Sequence, residues 1–280
     1  MVLYVRHEVS IMISVSAISE FIYCPFKVYL RYVEGYQIQS PFMLVGRLYH
    51  EVNRGYEELI KRNIWSLNKK MNLEEVSLNI FEGVSEFVAE TSQKYENPEL
   101  MDNEKFEDVK SMLESQLKLD SLIIAIKTKK ILNTGKSPLE IVDMLFPPSI
   151  LDLALENSEI GLKGKVDKVE IGEGIYYPVE IKTGFPPVKG VWQADALQIT
   201  AYSLLIEEEL KKEVLVGFVD YLQIRKRKTV VVNSNLRKKL FETLNQLQSL
   251  LYEGNFPDKE PVTSKCNSCN YAQVCDHSSF

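Results

Sequence analysis

The sequence predicts an α/β protein, a mixed central sheet flanked by helices and carrying a helical insertion. Three observations lead there. Apolar residues recur at helical spacing through the first half of the chain. After the segment FPPSI the texture changes to short alternating runs separated by turn residues. Amphipathic helices then return between and after those runs.

Taken in order, ISVSAISEFIYCPFKVYLRYVEG predicts a helix carrying Cys24. Pro25 breaks or restarts it, because proline lacks the backbone donor that a helix interior needs. SPFMLVGRLYHEVNRGYEELIKRNIW predicts a second helix, with Leu44, Leu48 and Val52 on one face and Gly46 and His50 beside it. Further helices follow to about residue 146. Ile80, Val84, Phe87 and Val88 form one apolar stripe, and Phe106, Val109, Leu113 and Leu117 form another. SILDLAL, IGLKGKVDKVEI and IYYPVEIKT then read as strands, and VWQADALQITAYSLLIEEEL as a helix. EVLVGFVDYLQI and TVVVN read as a strand pair with RKRK as a basic turn between them. The last long helix is NLRKKLFETLNQLQSLLYEG, with Leu240, Leu244, Leu247 and Leu251 inward and Gly254 closing it. The expected organisation is N-terminal helices over 1–57, an insertion over 58–148, a core over 149–254 and a cysteine-bearing tail over 255–280.

A chain of 280 residues supports one large domain with an elaboration. No apolar run approaches the roughly 20 residues that span a bilayer. Arg6 and Glu8 interrupt the opening segment where a cleavable leader would be apolar, so a cytoplasmic location and no membrane partner are expected. The residues before Met12 read as a dispensable extension. A net charge of −6 argues against a surface coated in nucleic acid but leaves room for a local basic groove. Lys27, Arg31 and Arg225 to Lys228 are the basic candidates for it, although RKRK reads equally well as a solvated hairpin turn.

Three elements carry the candidate chemistry. Asp167 lies mid-strand in KVDKV. Glu180 and Lys182 alternate in VEIKT, so they share one face while Val179 and Ile181 turn the other way. Carboxylates from neighbouring strands suit a hard divalent cation, and a lysine beside them orients a water or offsets charge developing on a phosphate. A surface ion pair is the more ordinary account of a lone E-x-K; the preceding aspartate, the following Thr183–Gly184 turn and a Gln in the next helix favour a site. Gln198 and Tyr202, four apart on the next helix, share one face and suit contact with a phosphate or base. His50 is one of three histidines; His7 and His277 lie near the ends. Cys266, Cys269 and Cys275 cluster at the end of the chain, with Cys24 as the fourth cysteine. In a reducing compartment such thiols are metal ligands or inert core residues rather than disulfides.

Together these segments resemble the RecB-type nucleases of the PD-(D/E)xK superfamily. GRLYH resembles their G-x-x-x-H motif, GKVDKV the acidic second motif, VEIKTG the E-x-K motif and QITAY the Q-x-x-x-Y helix. Cys24 in FIYCPFKVYLR with the terminal C-x2-C-x5-C resembles the four-cysteine iron–sulfur version, and most of all the CRISPR-associated RecB-like exonucleases, the fourth of the numbered core CRISPR proteins. The likeness covers about 13–57 and 150–277.

The resemblance implies a metal-dependent exonuclease acting on single-stranded DNA or overhanging ends. His50, Asp167, Glu180 and the carbonyl of Ile181 would hold Mg2+ or Mn2+. Asp167, Glu180 and Lys182 would be the catalytic set, and Gln198 and Tyr202 would position the DNA. Cys24, Cys266, Cys269 and Cys275 would hold an iron–sulfur cluster, [4Fe–4S] in preference to [2Fe–2S], as a clasp joining the two ends of the chain; the same four thiolates suit zinc. It also implies trimming of DNA ends for CRISPR spacer acquisition beside the CRISPR integrase proteins, and leaves self-association open. The long insertion departs from compact family members and leaves substrate choice undecided. The alternatives are a DNA-binding and docking module with weak or conditional nuclease activity, or the nuclease subunit of a helicase–nuclease repair complex. In the latter the motor would be a separate chain, because no G-x-x-x-x-G-K-[ST] motif occurs here.

Overall fold

Alternation of apolar and polar side chains over Leu162–Gly172 and Ile175–Lys182 sets up the centre of the sheet. In the computed structural model these segments are strands β3 and β4. The structure describes residues 12–256, 263–267 and 269–275. His7, His277 and the extension before Met12 lie outside the described residues. The chain divides into two units, one built from the described residues up to Ile38 and from Ser149 onward, the other from Gln39–Pro148.

The first unit holds a six-stranded mixed sheet with the path β1-β3-β4-β5-β6, and β2 paired to β3. The strands are β1 (Ile13–Ser14), β2 (Ser149–Asn157), β5 (Val216–Tyr221) and β6 (Lys226–Val231), besides β3 and β4. β3 and β4 form a hairpin closed between Gly172 and Ile175. Its two loop residues, Glu173 and Gly174, both have positive φ, as a two-residue turn matched to strand twist requires. β4 and β5 run parallel. Parallel neighbours need a crossover, and helix α8 (Gln193–Leu210) supplies it.

α8 is buried almost all round, which explains its lack of a polar face. It lies close to the sheet because Gly217 has no side chain there; a Cβ at that position would stand 2.6 Å from Ile199 Cγ2. Helices α1 (Val15–Tyr23) and α9 (Ser234–Glu253) join the same core, in which Phe21, Val166, Leu197, Leu205, Leu240 and Leu247 pack together. Ser14 caps α1 through the Ala17 amide at 3.2 Å, and Asn233 caps α9 through the Leu236 amide at 3.0 Å. On α9, Leu250 is buried with Leu240, Leu244 and Leu247, Leu251 packs partly buried against the same core, and Gly254 closes the helix at φ 70°. The N-terminal helix is two: α1 ends at Tyr23, Cys24 is extended, and α2 (Pro25–Tyr32) begins on the proline. The leading Ile13–Ser14, read as helix from the sequence, is instead a strand beside β3.

One basic segment departs from expectation. The turn after β5 is a short 3-10 segment, Leu222–Ile224, and most of RKRK belongs to β6. Arg227 forks onto both Glu170 oxygens at 2.7 and 2.9 Å and also reaches Asp220, so it is committed to an ion network. Alternation along β6 turns Arg227 towards the sheet, a placement invisible without strand register. Burial would push the Glu170 carboxyl up, but the Arg227 fork and the charge of Lys168 outweigh it and hold the carboxyl below its usual range. A carboxylate depressed in the folded state stabilises above its unfolded pKa and loses that contribution as pH falls through the folded value. Glu170→Gln is therefore expected to melt earlier than wild type at neutral pH, by about 1–2 kcal/mol. In strongly acidic buffer the two melting curves should converge.

The second unit is helical: α3 (Pro41–Ile64), α4 (Leu73–Phe81), α5 (Val84–Gln93), α6 (Asn103–Leu132) and α7 (Pro138–Leu145). The stripe from Ile80 to Val88 spans two of them, because Gly83 adopts a left-handed conformation between α4 and α5. Capping boxes at Asn72–Glu75 and Ser137–Glu140 start α4 and α7. Two buried polar side chains tie the helices together: Tyr56 Oη lies 2.9 Å from Ser121 Oγ, and Asn63 Nδ2 donates to the carbonyls of Ile80 and Glu82. Among the described residues no helix is long and apolar enough to cross a membrane.

Candidate active site

Pairing between β3 and β4 ends at Lys168 opposite Val179, while β4 continues along β5 as far as Lys182 opposite Tyr221. The two strands therefore part where the candidate carboxylates stand. Asp167 fills the gap in the ladder: its Oδ2 accepts the Ile181 N–H at 2.9 Å. Glu180, two residues behind Lys182 on the same face, is buried, and its Oε1 accepts from Lys182 Nζ at 3.0 Å.

Lys182 is the hub. Its ammonium also donates to Gln198 Oε1 at 2.8 Å and lies 3.6 Å from Asp195 Oδ1. Burial would push the lysine pKa down, but the charges of Glu180, Asp195 and Asp167 overcome that and raise it. The side chain is thus held as a cation. Gln198 in turn accepts from Ser19 Oγ at 3.1 Å and donates through Nε2 to Tyr202 Oη at 3.2 Å. Tyr202 donates to the Lys165 carbonyl at 3.0 Å. Its phenol is pushed up by burial and by the neighbouring Glu180 carboxylate. Both Gln198 and Tyr202 are buried, and these described hydrogen bonds go to protein groups. Gly164 admits the tyrosine: a Cβ there would stand 2.9 Å from the Tyr202 ring.

Asp195 and Tyr221 went unread in the sequence. Tyr221 Oη donates to Asp195 Oδ2 at 2.5 Å, and both side chains are buried. Burial, and then Asp195, push the Tyr221 phenol up, so it stays a donor. Asp195 carried a signal, standing three residues before Gln198 on one helical face. Tyr221 carried none, since only the register of β5 brings it there.

Asp167, Glu180, Lys182, Gln198 and Tyr202 thus form one connected set with Asp195. His50 is on α3, in the other unit. Among the described residues no group of three or more His, Cys, Asp or Glu is gathered to hold a metal ion. The donor chemistry nonetheless suits a hard cation: three carboxylates act on the one ammonium, and oxygen donors dominate.

The cysteines occupy a second region of the first unit. Cys24 sits in the break between α1 and α2, and Cys266 ends the short helix α10 (Thr263–Cys266). Their immediate predecessors pair reciprocally: Tyr23 Oη donates to the Lys265 carbonyl at 3.1 Å, and Lys265 Nζ donates to the Tyr23 carbonyl at 3.0 Å. The Cys269 amide donates to the Cys266 carbonyl at 3.0 Å, Asn270 reaches the Ile38 carbonyl and Tyr271 the Tyr36 carbonyl. The four cysteines are partly buried and form no disulfide, and among the described residues they are not gathered into one ligand set. Two of the basic candidates lie here. Arg31 pairs with Glu20 at 2.5 Å, and Lys27 lies over the rings of Tyr23 and Tyr271.

A mixed sheet whose E-x-K strand meets an aspartate from its hairpin partner is consistent with the PD-(D/E)XK fold, and the family comparison agrees. The model of the PD-(D/E)XK nuclease superfamily matches residues 12–276, and the chain belongs to that superfamily. It is also distantly homologous to CRISPR-associated exonucleases Cas4. The Cas4 of Francisella tularensis subsp. novicida is 30% identical over 45% of this chain and 61% of its own length. The Cas4 of Rhodospirillum rubrum is 27% identical over 44% of this chain and 37% of its own. A Cas4/endonuclease Cas1 fusion of Leptospira interrogans is 26% identical over 42% of this chain and 23% of its own. The chain therefore spans less than two thirds of the length of each.

Proposed function

We propose that the protein is a Mg2+- or Mn2+-dependent deoxyribonuclease that degrades single-stranded DNA or overhanging ends from a terminus. The observation that carries this is the Lys182 ammonium, held between Glu180, Gln198 and Asp195 beside Asp167. Asp167, Glu180, the Ile181 carbonyl and His50 are the proposed metal ligands. When bound, the cation lowers the pKa of a water and polarises the scissile phosphate. Lys182, already charged and fixed in place, offsets negative charge growing on the phosphoryl oxygens without reorganising. Gln198 and Tyr202 contribute to the position of the DNA by fixing Lys182. The test is metal-dependent loss of labelled single-stranded DNA; equal rates in wild type, Asp167→Ala and Lys182→Ala overturn the assignment.

Asp195 and Tyr221 support Lys182 from behind. Asp195→Ala is expected to lower kcat about ten- to a hundredfold, the range for partners that orient a site's working groups, with KM for an oligonucleotide little changed. Tyr221→Phe, which leaves the carboxylate but removes its donor, should fall between that variant and wild type. Steady-state kinetics on one labelled oligonucleotide checks both.

Cys24, Cys266, Cys269 and Cys275 are the proposed ligands of an iron–sulfur cluster, preferably [4Fe–4S], with zinc as the other metal that four thiolates suit. The reciprocal Tyr23–Lys265 pairing supports this, since it brings the residue before Cys24 and the residue before Cys266 together. Residues 58–148 are taken as an insertion into the nuclease body formed by 1–57, 149–254 and the 255–280 tail. In the cell the proposed role is trimming DNA ends for CRISPR spacer acquisition beside an integrase. The existence of relatives that are fusions of Cas4 with an endonuclease Cas1 supports such a partner.

A further inference from the structure

The loop from Thr183 to Trp192 joins Lys182 to α8 and reads TGFPPVKGVW. It exposes apolar surface where the core has no use for it. Phe185 is 65% exposed, Val188 98% and Trp192 53%. Val191 alone among the loop's apolar side chains is described as packing on the neighbouring cluster of Ala196, Ile199, Val219 and Tyr221. Trp192 occupies the N-cap of α8 and makes no side-chain capping bond, in a place where Ser, Thr, Asp or Asn would stabilise the helix. Its indole N–H instead donates to the Phe185 carbonyl at 2.8 Å. That bond draws the two ends of the loop together and satisfies the indole's one donor. Pro186 and Pro187 stiffen the span between them, and Gly190 turns it at φ 68°. The result is a preorganised pair of aromatic side chains, with Lys189 between them in sequence, in a loop that begins directly after the Lys182 hub.

We infer that Phe185 and Trp192 form a stacking platform for unpaired nucleobases, so that the site takes a single strand rather than a duplex. The inference rests on the nuclease assignment above, because Lys182 marks where the phosphate lies. Every base has a π-face, so an exposed aromatic next to a phosphate site binds single strands without regard to sequence. In a duplex those faces are already stacked on neighbours, and the platform gains nothing. Lys189 adds positive charge where the flanking backbone passes. The platform's place, contiguous with the Lys182 hub through Thr183 and Gly184, favours a nucleic-acid strand over a protein as its occupant.

The experiment uses the full chain in buffer free of divalent cations, so that binding is seen without cleavage. The chain has two tryptophans, so Trp65→Phe leaves Trp192 as the sole reporter. Titration with oligothymidylate is expected to quench Trp192 emission, at a concentration about tenfold below that of the same strand annealed to oligoadenylate. By anisotropy of a labelled oligothymidylate, Trp192→Ala should bind about tenfold more weakly, with duplex binding unchanged and Trp192→Phe close to wild type. A labelled strand that binds with no change in Trp192 emission overturns the platform, as do Phe185→Ala and Trp192→Ala variants that bind it like wild type; either result would leave the loop as a surface for a protein. Cleavage of the same strand by the wild type once Mn2+ is added separates the two claims. Quenching without metal-dependent cleavage in the wild type sinks the nuclease assignment and keeps the platform, whereas cleavage without quenching does the reverse.

Discussion

Lys182→Ala is expected to reduce Mn2+-dependent degradation of single-stranded DNA by about a hundred- to a thousandfold, the loss seen when one preorganised charge-stabilising group leaves a site. The reason lies in how the ammonium is held. It is half-buried, charged and bonded to Glu180 and Gln198, so no reorganisation is needed as negative charge builds on the phosphate. Removing it also leaves Glu180 and Asp195 without the cation they share, and neighbouring like charges resist joint ionisation. Lys182→Arg should recover little, because a planar fork cannot replace a compact ammonium within a shell fitted to it. Asp167→Ala is expected to be equally inactive. Rates measured on one 5′-labelled strand for all of these variants decide the matter, and a Lys182→Ala enzyme with wild-type rate would end the hydrolytic assignment.

Cys24→Ala is expected to give the largest loss of stability of any single change considered. A metal joining Cys24 to Cys266, Cys269 and Cys275 closes nearly the whole chain into one loop, and closing a loop of that size removes about 4–5 kcal/mol of unfolded-chain entropy. For a protein of this size that corresponds to a fall in melting temperature on the order of 10 °C. The reciprocal Tyr23–Lys265 bonds and the stacking of Phe26 on Phe256 at 4.6 Å hold the same region, but such surface contacts are individually weak. Anaerobically purified wild type should be brown and contain iron and sulfide, and Cys24→Ala should lose both along with the stability. Colourless protein with one zinc would keep the clasp and change its metal. Metal-free wild type that melts together with Cys24→Ala would remove the clasp altogether.

The parts of this protein legible in its sequence are those encoded over a few residues. Alternation in VEIKT places Glu180 and Lys182 on one face, four-residue spacing places Gln198 and Tyr202 on one helical stripe, and Pro25 splits the first helix; backbone geometry enforces each of these locally. Asp167 was legible as a mid-strand acid, yet its bond to the Ile181 amide depends on where β3 and β4 stop pairing. What only the tertiary structure decided is which distant groups share a space. The parallel register of β4 and β5 sets Tyr221 beside Lys182, and the crossover helix turns Asp195 onto both. The register of β6 ties Arg227 to Glu170 where the sequence suggested an open basic turn. Register and crossover are settled by the packing of whole elements, whose preferences no short stretch of chain contains.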